Sequence, residues 1–431
     1  MVNTADMQMC DIPTTSPVDE GSTRPRILYL THRVPYPPDR GDRIRTYHSL
    51  TSFSSRFDVD LACLADEPLD EVAARVLRKL CRRVAVIPTG GKSRWSRALA
   101  SLIQGRSVTE GAFQSPVLRD VLLRWTSTTR YETAVASSSG MAPYLKVGSL
   151  RSTPVLIDLV DVDSEKWLEY AAASRGPLAW LYRTEGQRLR SLERSLAEWA
   201  FSITLISPAE VDDFRQIHPE APVSVISNGV DLNYFRPGRE ESAFGCVFVG
   251  ALDYRPNIDG ACWFCQEVWP EIRRRYRQAT LSLVGRKPTP AVLRLGQIEG
   301  VNVVGQVPDI RPYVAKAAVA VVPLRIARGL QNKVLESLAM GKAVVSSPQA
   351  LRGVSVETGI HLLSASSPGE WIELVSRLFD SPDERRRLGA EGRRFVECHH
   401  QWNRCLEPLM ARLEAAIKTP TSGVHNGSEL L

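Results

Sequence analysis

Short apolar runs alternate with longer amphipathic stretches along most of the chain, beginning at Arg26. In the first half the runs are RILYLTH (26–32), DVDLACL (58–64), PVLIDLVDV (154–162), ITLIS (203–207) and VSVIS (223–227). In the second half they are CVFVGAL (246–252), ATLSLVG (279–285), VNVVG (301–305), VAVVPL (319–324) and AVVSS (343–347). Strand-length runs separated by helical spacing are typical of βαβ units with parallel sheets. The pattern therefore predicts an α/β protein.

The two groups of strands predict two Rossmann-like units. Neither group has GxGxxG after its first strand, so the usual nicotinamide-binding fingerprint is missing. We predict a first domain over 25–218 and a second over 219–395, followed by a C-terminal helix over 396–417. The lead over 1–24 and the tail over 418–431 are expected to be disordered.

The charge balance suggests anionic partners. The 431 residues include 54 Lys and Arg against 48 Asp and Glu, a net charge of +6. Such an excess suits phosphate groups, nucleic acid or an acidic membrane surface. No zinc-finger spacing or RNP-like strand is present, so nucleic acid is not an expected partner. No apolar run reaches the roughly 18 residues that span a bilayer, and no signal pattern opens the sequence. The eight cysteines are spread widely, so we expect the protein in the reducing cytoplasm.

The most informative segment is PLRIARGLQNKVLESLAMGKAVVSS, from Pro323 to Ser347. A strand ends at its start, a turn with Gly329 follows, and a helix is predicted to begin near Leu330. Open amides at a helix N-terminus, here around Leu330 and Asn332, form an anion site together with the helix dipole.

Two side chains extend this anion site. Lys333 adds a full positive charge in the first turn, and Glu336 follows one turn later. A carboxylate has only acceptors, so it can take hydrogen bonds from both hydroxyls of a ribose. Phosphate-binding amides beside a diol-binding carboxylate predict a site for a nucleotide diphosphate sugar.

With this segment and four further motifs, the chain from about 25 to 416 resembles glycosyltransferase family 4. The motifs are THRVPYPPDRGDRIR, DLVDVDSEKW, VISNGVDLNYFRP and FVGALDYRPNIDG. Within the family it is similar to sugar transferases of PEP-CTERM exosortase and exopolysaccharide loci. The resemblance implies the GT-B fold, in which two Rossmann-like domains face each other and the C-terminal helix returns to the first. It also implies a retaining transfer without a metal cofactor.

The resemblance assigns roles residue by residue. Glu336 matches the second member of the family's spaced glutamate pair, which holds the donor ribose, whereas the first member falls at Arg328. Gly41 and Asp42 match the loop that approaches the donor phosphates. Gly250 matches the glycine after the first strand of the second domain.

The family's two phosphate-binding cations are missing from their usual places, which are Ala251 and Pro256 here. A leaving diphosphate still needs positive charge, because preorganised donors lower the barrier as negative charge develops. Arg255, Arg286 and Lys333 are the candidate substitutes. Lys333 is the first choice because of its place on the helix.

Three aspartates mark the end of a predicted strand in the first domain, at Asp158, Asp161 and Asp163. Strand ends at a sheet crevice favour ligand sites. Asp161 and Asp163 match the DxD pattern of metal-dependent transferases, but the GT-B motifs argue against a metal. The alternatives left open are that Asp161 or Asp163 orients the acceptor, with Asp161 taking part in catalysis, or that Asp163 caps a helix.

A basic stretch from Arg75 to Arg106 contains Trp95, Leu99 and Leu102. It is either a solvated face or a surface for an anionic membrane. The protein is thus expected to be a cytoplasmic, peripheral transferase that extends a lipid-linked or polysaccharide acceptor. The alternatives are a nucleotide-sugar epimerase of similar fold and a catalytically idle binding protein, the latter suggested by Arg328, Ala251 and Pro256.

Overall fold

The computed structural model describes residues 10–12, 23–89, 91–238 and 242–419, without the side chains of 10–12 and 91–95. The chain forms two compact units. The first contains residues 1–226 and 406–431, and the second contains residues 227–405. Each is built on a largely parallel sheet with helical connections, which confirms the predicted pair of Rossmann-like units. The predicted disordered ends lie mostly outside the described residues.

An eight-stranded sheet forms the centre of the first unit. Its strands are β1 (Cys10–Ile12), β2 (Arg26–Thr31), β3 (Asp58–Ala65), β4 (Arg83–Pro88), β5 (Thr133–Ser137), β6 (Val155–Val160), β7 (Ser202–Leu205) and β8 (Val223–Val225). They lie in the order β1-β4-β3-β2-β5-β6-β7-β8, and only β1 pairs antiparallel among the described strands. β1 lies within the predicted disordered lead, so that prediction is wrong for Cys10–Ile12.

The helices of the first unit follow the strands with clear sequence signals at their ends. They are α1 (Gly41–Arg56), α2 (Glu71–Leu80), α3 (Gly91–Ile103), α4 (Val108–Phe113), α5 (Pro116–Thr128), α6 (Asp163–Ala172), α7 (Gly176–Ala197) and α8 (Pro208–Ile217). Both α5 and α8 begin with proline after a serine whose hydroxyl accepts a bond from the first turn. Such a start satisfies an amide that the helix itself leaves open.

The second unit has a six-stranded parallel sheet in the order β11-β10-β9-β12-β13-β14. The strands are β9 (Gly245–Val249), β10 (Thr280–Val284), β11 (Val301–Gly305), β12 (Val319–Val322), β13 (Ala343–Ser346) and β14 (Leu363–Ser364). The helices are α9 (Arg255–Trp263), α10 (Trp269–Arg275), α11 (Pro290–Arg294), α12 (Arg311–Lys316), α13 (Asn332–Ala339), α14 (Pro348–Leu351), α15 (Pro368–Asp380), α16 (Pro382–His399) and α17 (Trp402–Lys418).

Helix α17 starts in the second unit, and from Leu406 onward it belongs to the first. There Arg56 of α1 donates hydrogen bonds to Glu407 at 3.0 Å and to Glu414 at 2.9 Å. These exposed ion pairs contribute little stability by themselves.

The strand order places a switch point in each sheet. In the second unit β9 has β10 on one side and β12 on the other, so the chain leaves β9 in one direction and returns on the opposite flank. In the first unit β2 lies between β3 and β5 in the same way. In sheets of this kind ligands bind outside the carboxyl ends of the strands at the switch point.

Candidate functional site

The loop after β9 and the helix after β12 meet at the switch point of the second unit. Gly250 follows β9, and a Cβ atom there would lie 2.8 Å from Nδ2 of Asn257 and 2.9 Å from Nζ of Lys333. Gly285 is closer still, since its Cβ would lie 1.8 Å from the carbonyl oxygen of Gly250. At Gly285 only glycine fits, because the clash is with backbone, whereas a side chain at Gly250 would displace the ends of Asn257 and Lys333. The Lys333 ammonium therefore lies directly against the loop.

Lys333 is held in place by groups from β9 and α9. Its Nζ donates a hydrogen bond to Oδ1 of Asn257 at 2.5 Å and lies 4.9 Å from the ring centroid of Phe248. Nδ2 of Asn257 donates to the carbonyl oxygen of Ala251 at 2.8 Å, which fixes the amide. The ammonium thus lies beside the segment between β9 and α9, which contains Ala251. Asn257 is a site residue that the sequence analysis does not single out.

Burial shifts Lys333 and Glu336 in opposite directions. It lowers the pKa of the Lys333 ammonium to about 7, although the Glu336 carboxylate acts to raise it. It raises the pKa of the Glu336 carboxyl to about 7, although Lys333 acts to lower it. Their mutual attraction does not offset the lost hydration. An anion beside Lys333 and hydroxyl donors at Glu336 would favour both charged forms, as expected of a ligand site.

Helix α13 begins at Asn332, two residues after the predicted start near Leu330. Gly329 has a φ of +61°, in the left-handed region, and Gln331 is extended with φ −92° and ψ 99°. Neither conformation belongs to a helix. Gly353 packs on this turn, because its Cβ would lie 2.7 Å from the backbone of Gly329. The turn is therefore held tightly before the first helical amide.

The asparagine of the VISNGVD motif anchors the start of α13. Nδ2 of Asn228 donates to Oδ1 of Asn332 at 3.0 Å, and the carbonyl oxygen of Asn228 lies 2.9 Å from Nδ1 of His400. The Asn332 side chain is thus used inside the second unit. The bond uses the Oδ1 acceptor of Asn332, so the groups of this residue that can donate to an anion are its backbone amide and its Nδ2.

The two other candidate cations are Arg255 and Arg286, and each has a different setting from Lys333. Arg255 is exposed and lines a groove of 570 Å³ along α9 with Trp263 and Arg325, and neither Lys333 nor Glu336 lines this groove.

Arg286 is half-buried, and its carbonyl oxygen accepts from the amide of Leu252 at 2.9 Å, next to the Gly250 loop. Arg328, at the first glutamate position, is half-buried, and its carbonyl oxygen accepts from Nε2 of Gln331 at 2.9 Å.

Asp158 at the end of β6 forms a buried ion pair in the first unit. Nε and Nη2 of Arg45 donate to its two oxygens at 2.7 and 2.8 Å, and Thr204 Oγ1 donates at 2.8 Å. A third donor of Arg45 binds the carbonyl oxygen of Ile226 at 2.8 Å. Both charged side chains are fully buried. Asp158 therefore fixes the fold at this strand end.

The two candidate acceptor residues follow a strained turn. Val160 has a φ of 72°, which is unfavourable for a β-branched side chain, and Glu210 accepts from the amide of Val162 at 2.6 Å. The backbone amide of Asp161 donates to the carbonyl oxygen of Leu159 at 3.0 Å. Asp163 accepts from Ser139 Oγ at 2.8 Å.

The helix-capping role that was left open for Asp163 is wrong. Asp163 is the first residue of α6, and the capping position belongs to Val162, whose side chain has no hydrogen-bonding group. The hydrogen bond from Ser139 connects the Asp163 carboxylate to the segment after β5.

Gly41 and Asp42 open α1. Gly41 is exposed, whereas Asp42 accepts from Arg33 at 2.5 Å and lies 3.2 Å from Nε2 of His32. Hydrogen bonds and charge from His32 and Arg33 hold the pKa of Asp42 well below its usual range, against the effect of burial. The carboxylate remains ionised and orders the loop before α1.

The described residues contain neither a cluster of metal ligands nor a helix that could span a membrane. No group of three or more His, Cys, Asp or Glu side chains within those residues could hold a metal ion. No helix in that part of the chain has both the length and the apolar character to cross a bilayer.

Comparison with known proteins places these features in context. Residues 243–381 match the family model described as "Glycosyl transferases group 1". A curated relative, glycosyltransferase 1 domain-containing protein 1 of Xenopus tropicalis, is 22% identical over 146 residues. That alignment covers 32% of this chain and 42% of the relative.

Solved structures show the same fold. Sucrose-phosphate synthase from Thermosynechococcus elongatus is 17% identical, with a TM-score of 0.67, and the match covers 91% of this chain and all of that one. HepE from Anabaena with UDP and glucose is 14% identical, with a TM-score of 0.66, and the coverage is again 91% and 100%. The chain thus has the GT-B fold, and its segment 243–381 is similar to the group 1 glycosyl transferases.

Proposed function

We propose that this chain is a retaining glycosyltransferase that moves a sugar from a nucleotide diphosphate donor to a lipid-linked or polysaccharide acceptor in exopolysaccharide biosynthesis. It would act in the cytoplasm, at the inner face of the cytoplasmic membrane. The observation that carries the proposal is the Lys333 ammonium held against the Gly250 loop, with Glu336 one turn further along α13. HepE from Anabaena, which has a similar fold, was solved with UDP and with UDP-glucose.

In the proposed complex the diphosphate lies at the N-terminus of α13. The amides of the turn from Gly329 to Asn332 and the ammonium of Lys333 bind its oxygens, and the Glu336 carboxylate accepts from the ribose hydroxyls. Arg286 is the better candidate for a second cation, because its main chain already pairs with the loop after β9. Arg255 would have to leave the α9 groove to take part.

The proposed reaction exchanges one bond of the sugar. The bond between the anomeric carbon and the phosphate oxygen breaks, and the acceptor oxygen attaches to the same face of the sugar. The acceptor proton passes to the leaving phosphate, so a dedicated base is not required. Lys333 stabilises the negative charge that develops on the diphosphate. Asp161 and Asp163 would orient the acceptor, and Gly41 would approach the donor from the loop before α1.

A panel of nucleotide sugars tests this proposal. We expect one uridine or guanosine donor to raise the melting temperature of the full chain, and to be hydrolysed or transferred with EDTA present. The Lys333→Ala and Glu336→Ala double variant should abolish both effects. Epimerised sugar formed from donor alone would instead indicate an epimerase. A chain that binds donor but neither transfers nor hydrolyses it would be an idle binding protein.

A further inference from the structure

Helix α7 separates its acidic and basic side chains between interior and surface. Its two acidic side chains, Glu185 and Glu193, are only 3% and 0% exposed. Arg183, Arg190 and Arg194 are exposed. The sequence shows only a helix of mixed charge, but the surface that it presents is cationic.

The buried acids of α7 are used by neighbouring helices. Glu185 accepts from the amides of Val108 at 2.6 Å and Thr109 at 2.9 Å, at the N-terminus of α4. Glu193 accepts from the amide of Ser164 at 3.1 Å, at the N-terminus of α6. Burial also raises the pKa of Glu193 to about 8. Both carboxylates thus bond to backbone amides inside the first unit, while the arginines of α7 are at its surface.

The same region exposes large apolar side chains. Five of the thirteen large hydrophobic residues that are exposed in the described part of the chain lie on α3 and the first turns of α7. On α3, Leu99 and Ile103 are one turn apart and are 60% and 80% exposed. On α7 they are Leu178, Trp180 and Leu181, and the indole of Trp180 is 64% exposed. By helical spacing Trp180 shares one exposed side of α7 with Arg183 and Arg194, whereas Leu181 lies on the flank next to α3. Exposed apolar groups on a helix that also exposes cations mark an interaction surface.

Arg188 brings the two helices together. It lies on the face of α7 that also carries Leu181, two turns earlier. Its Nη1 donates to the carbonyl oxygens of Leu102 and Arg106, both at 2.9 Å. The end of α3, which includes Ile103, is therefore beside α7.

We propose that this α3–α7 surface binds an anionic lipid membrane. The surface is defined by Ile103, Leu178, Trp180, Leu181, Arg183 and Arg194. Apolar side chains would enter the boundary between headgroups and acyl chains, Trp180 would lie at headgroup level, and the arginines would contact anionic lipids. Arg190 contributes less, because it is paired with Glu165. Because the surface carries positive charge, it should bind a bilayer with anionic lipids more tightly than a bilayer of zwitterionic lipids. The inference deepens the membrane part of the proposed function and does not require that the transfer reaction be correct.

The α3–α7 surface includes only a small part of the basic stretch Arg75–Arg106 that the sequence suggested, because several arginines of that stretch form bonds inside the first unit. Arg82 and Arg83 both donate at 2.9 Å to Asp60, which is fully buried. Arg97 donates to the carbonyl oxygen of Thr89 at 2.7 Å. These three arginines therefore bond to other groups of the first unit and are not part of the proposed surface. The side chains of residues 91–95, including Trp95, lie outside the described residues.

Co-sedimentation of the full chain with vesicles tests the inference. We expect binding to vesicles of phosphatidylcholine and phosphatidylglycerol, weaker binding at high salt, and little binding to phosphatidylcholine alone. Each of Leu178→Ser and Trp180→Ser should weaken binding about ten-fold, because each removes one apolar anchor. Arg183→Gln with Arg194→Gln should weaken it by a similar factor and reduce the salt dependence.

Matched controls separate this surface from a general effect. Leu293→Ser changes a leucine of similar exposure in the second unit, and Arg386→Gln with Arg394→Gln removes two exposed charges of α16. These variants should bind vesicles as the unchanged chain does. All variants should keep the donor-induced melting shift, so a missing shift would count against the proposed function alone. Equal vesicle binding by surface and control variants, no vesicle binding, or a dimer that Leu178→Ser dissociates would each overturn the membrane inference.

Discussion

The two units hold buried charge in contrasting ways. In the first unit, Arg45 and Asp158 form a fully buried pair in which both carboxylate oxygens are bound. In the second unit, the Lys333 ammonium donates to Asn257, and within the described residues no group donates to the Glu336 carboxylate. The pKa values of Lys333 and Glu336 both move to about 7.

This difference separates a structural ion pair from the proposed donor site. A buried charge with a full set of partners fixes one conformation, and removal of either member leaves an uncompensated charge. A half-buried charge with an incomplete set of partners can bind a ligand that completes it. Asp158 and Glu336 are both carboxylates with a nearby cation, yet Asp158 belongs to a structural ion pair and Glu336 is proposed to bind the donor.

The largest expected effect is on stability. Asp158→Asn leaves the Arg45 guanidinium buried without its counter-charge, so the free energy of unfolding of the first unit should fall by about 3–5 kcal/mol. Urea denaturation measures the change. The exposed pair of Arg325 and Asp259 provides the control, since Asp259→Asn should cost less than about 1 kcal/mol. Equal losses in the two variants would contradict the contrast between a buried pair and a surface pair.

The next effect is on catalysis. Lys333→Met removes the cation beside the leaving diphosphate and should lower kcat/KM by about 100-fold, which corresponds to about 3 kcal/mol of transition-state stabilisation. Steady-state assays with the donor identified from the panel measure it. Lys316→Met, at an exposed site on α12, should leave kcat/KM unchanged. A loss of less than three-fold in Lys333→Met would remove this residue from the proposed mechanism.

A smaller effect is expected from pH. Below pH 7 the Glu336 carboxyl gains a proton and loses acceptor capacity for the ribose, and above pH 7 Lys333 loses its charge. We therefore expect kcat/KM to have a maximum near pH 7 and to fall about ten-fold per unit on each side.

Two variants assign the limbs of this profile. Lys333→Arg should abolish the alkaline limb, because a guanidinium keeps its charge to above about pH 12. Glu336→Gln should abolish the acid limb. A profile that neither substitution alters would mean that the two residues do not control donor binding.

Much of the fold could be predicted from the sequence, because buried parallel strands leave continuous apolar runs. The pattern does not reveal β5, TAVAS, whose small and polar residues are buried by its neighbours β2 and β6. In the proposed site, the placement of Lys333 and Glu336 one turn apart on α13 follows from helical spacing. The bond from Lys333 to Asn257 depends on β9 lying next to β12, which no local pattern contains. The burial of both acids of α7 likewise depends on which helix ends lie beside them.

The affinity of the donor for Glu336→Ala tests the central claim most directly. Calorimetric titration should show donor binding weakened by about 10- to 100-fold, because hydrogen bonds from both ribose hydroxyls to a charged acceptor are lost. Glu373→Ala, at an exposed position on α15, should bind the donor normally, and both variants should unfold at the temperature of the unchanged chain. Unchanged donor affinity in a folded Glu336→Ala variant would contradict the account.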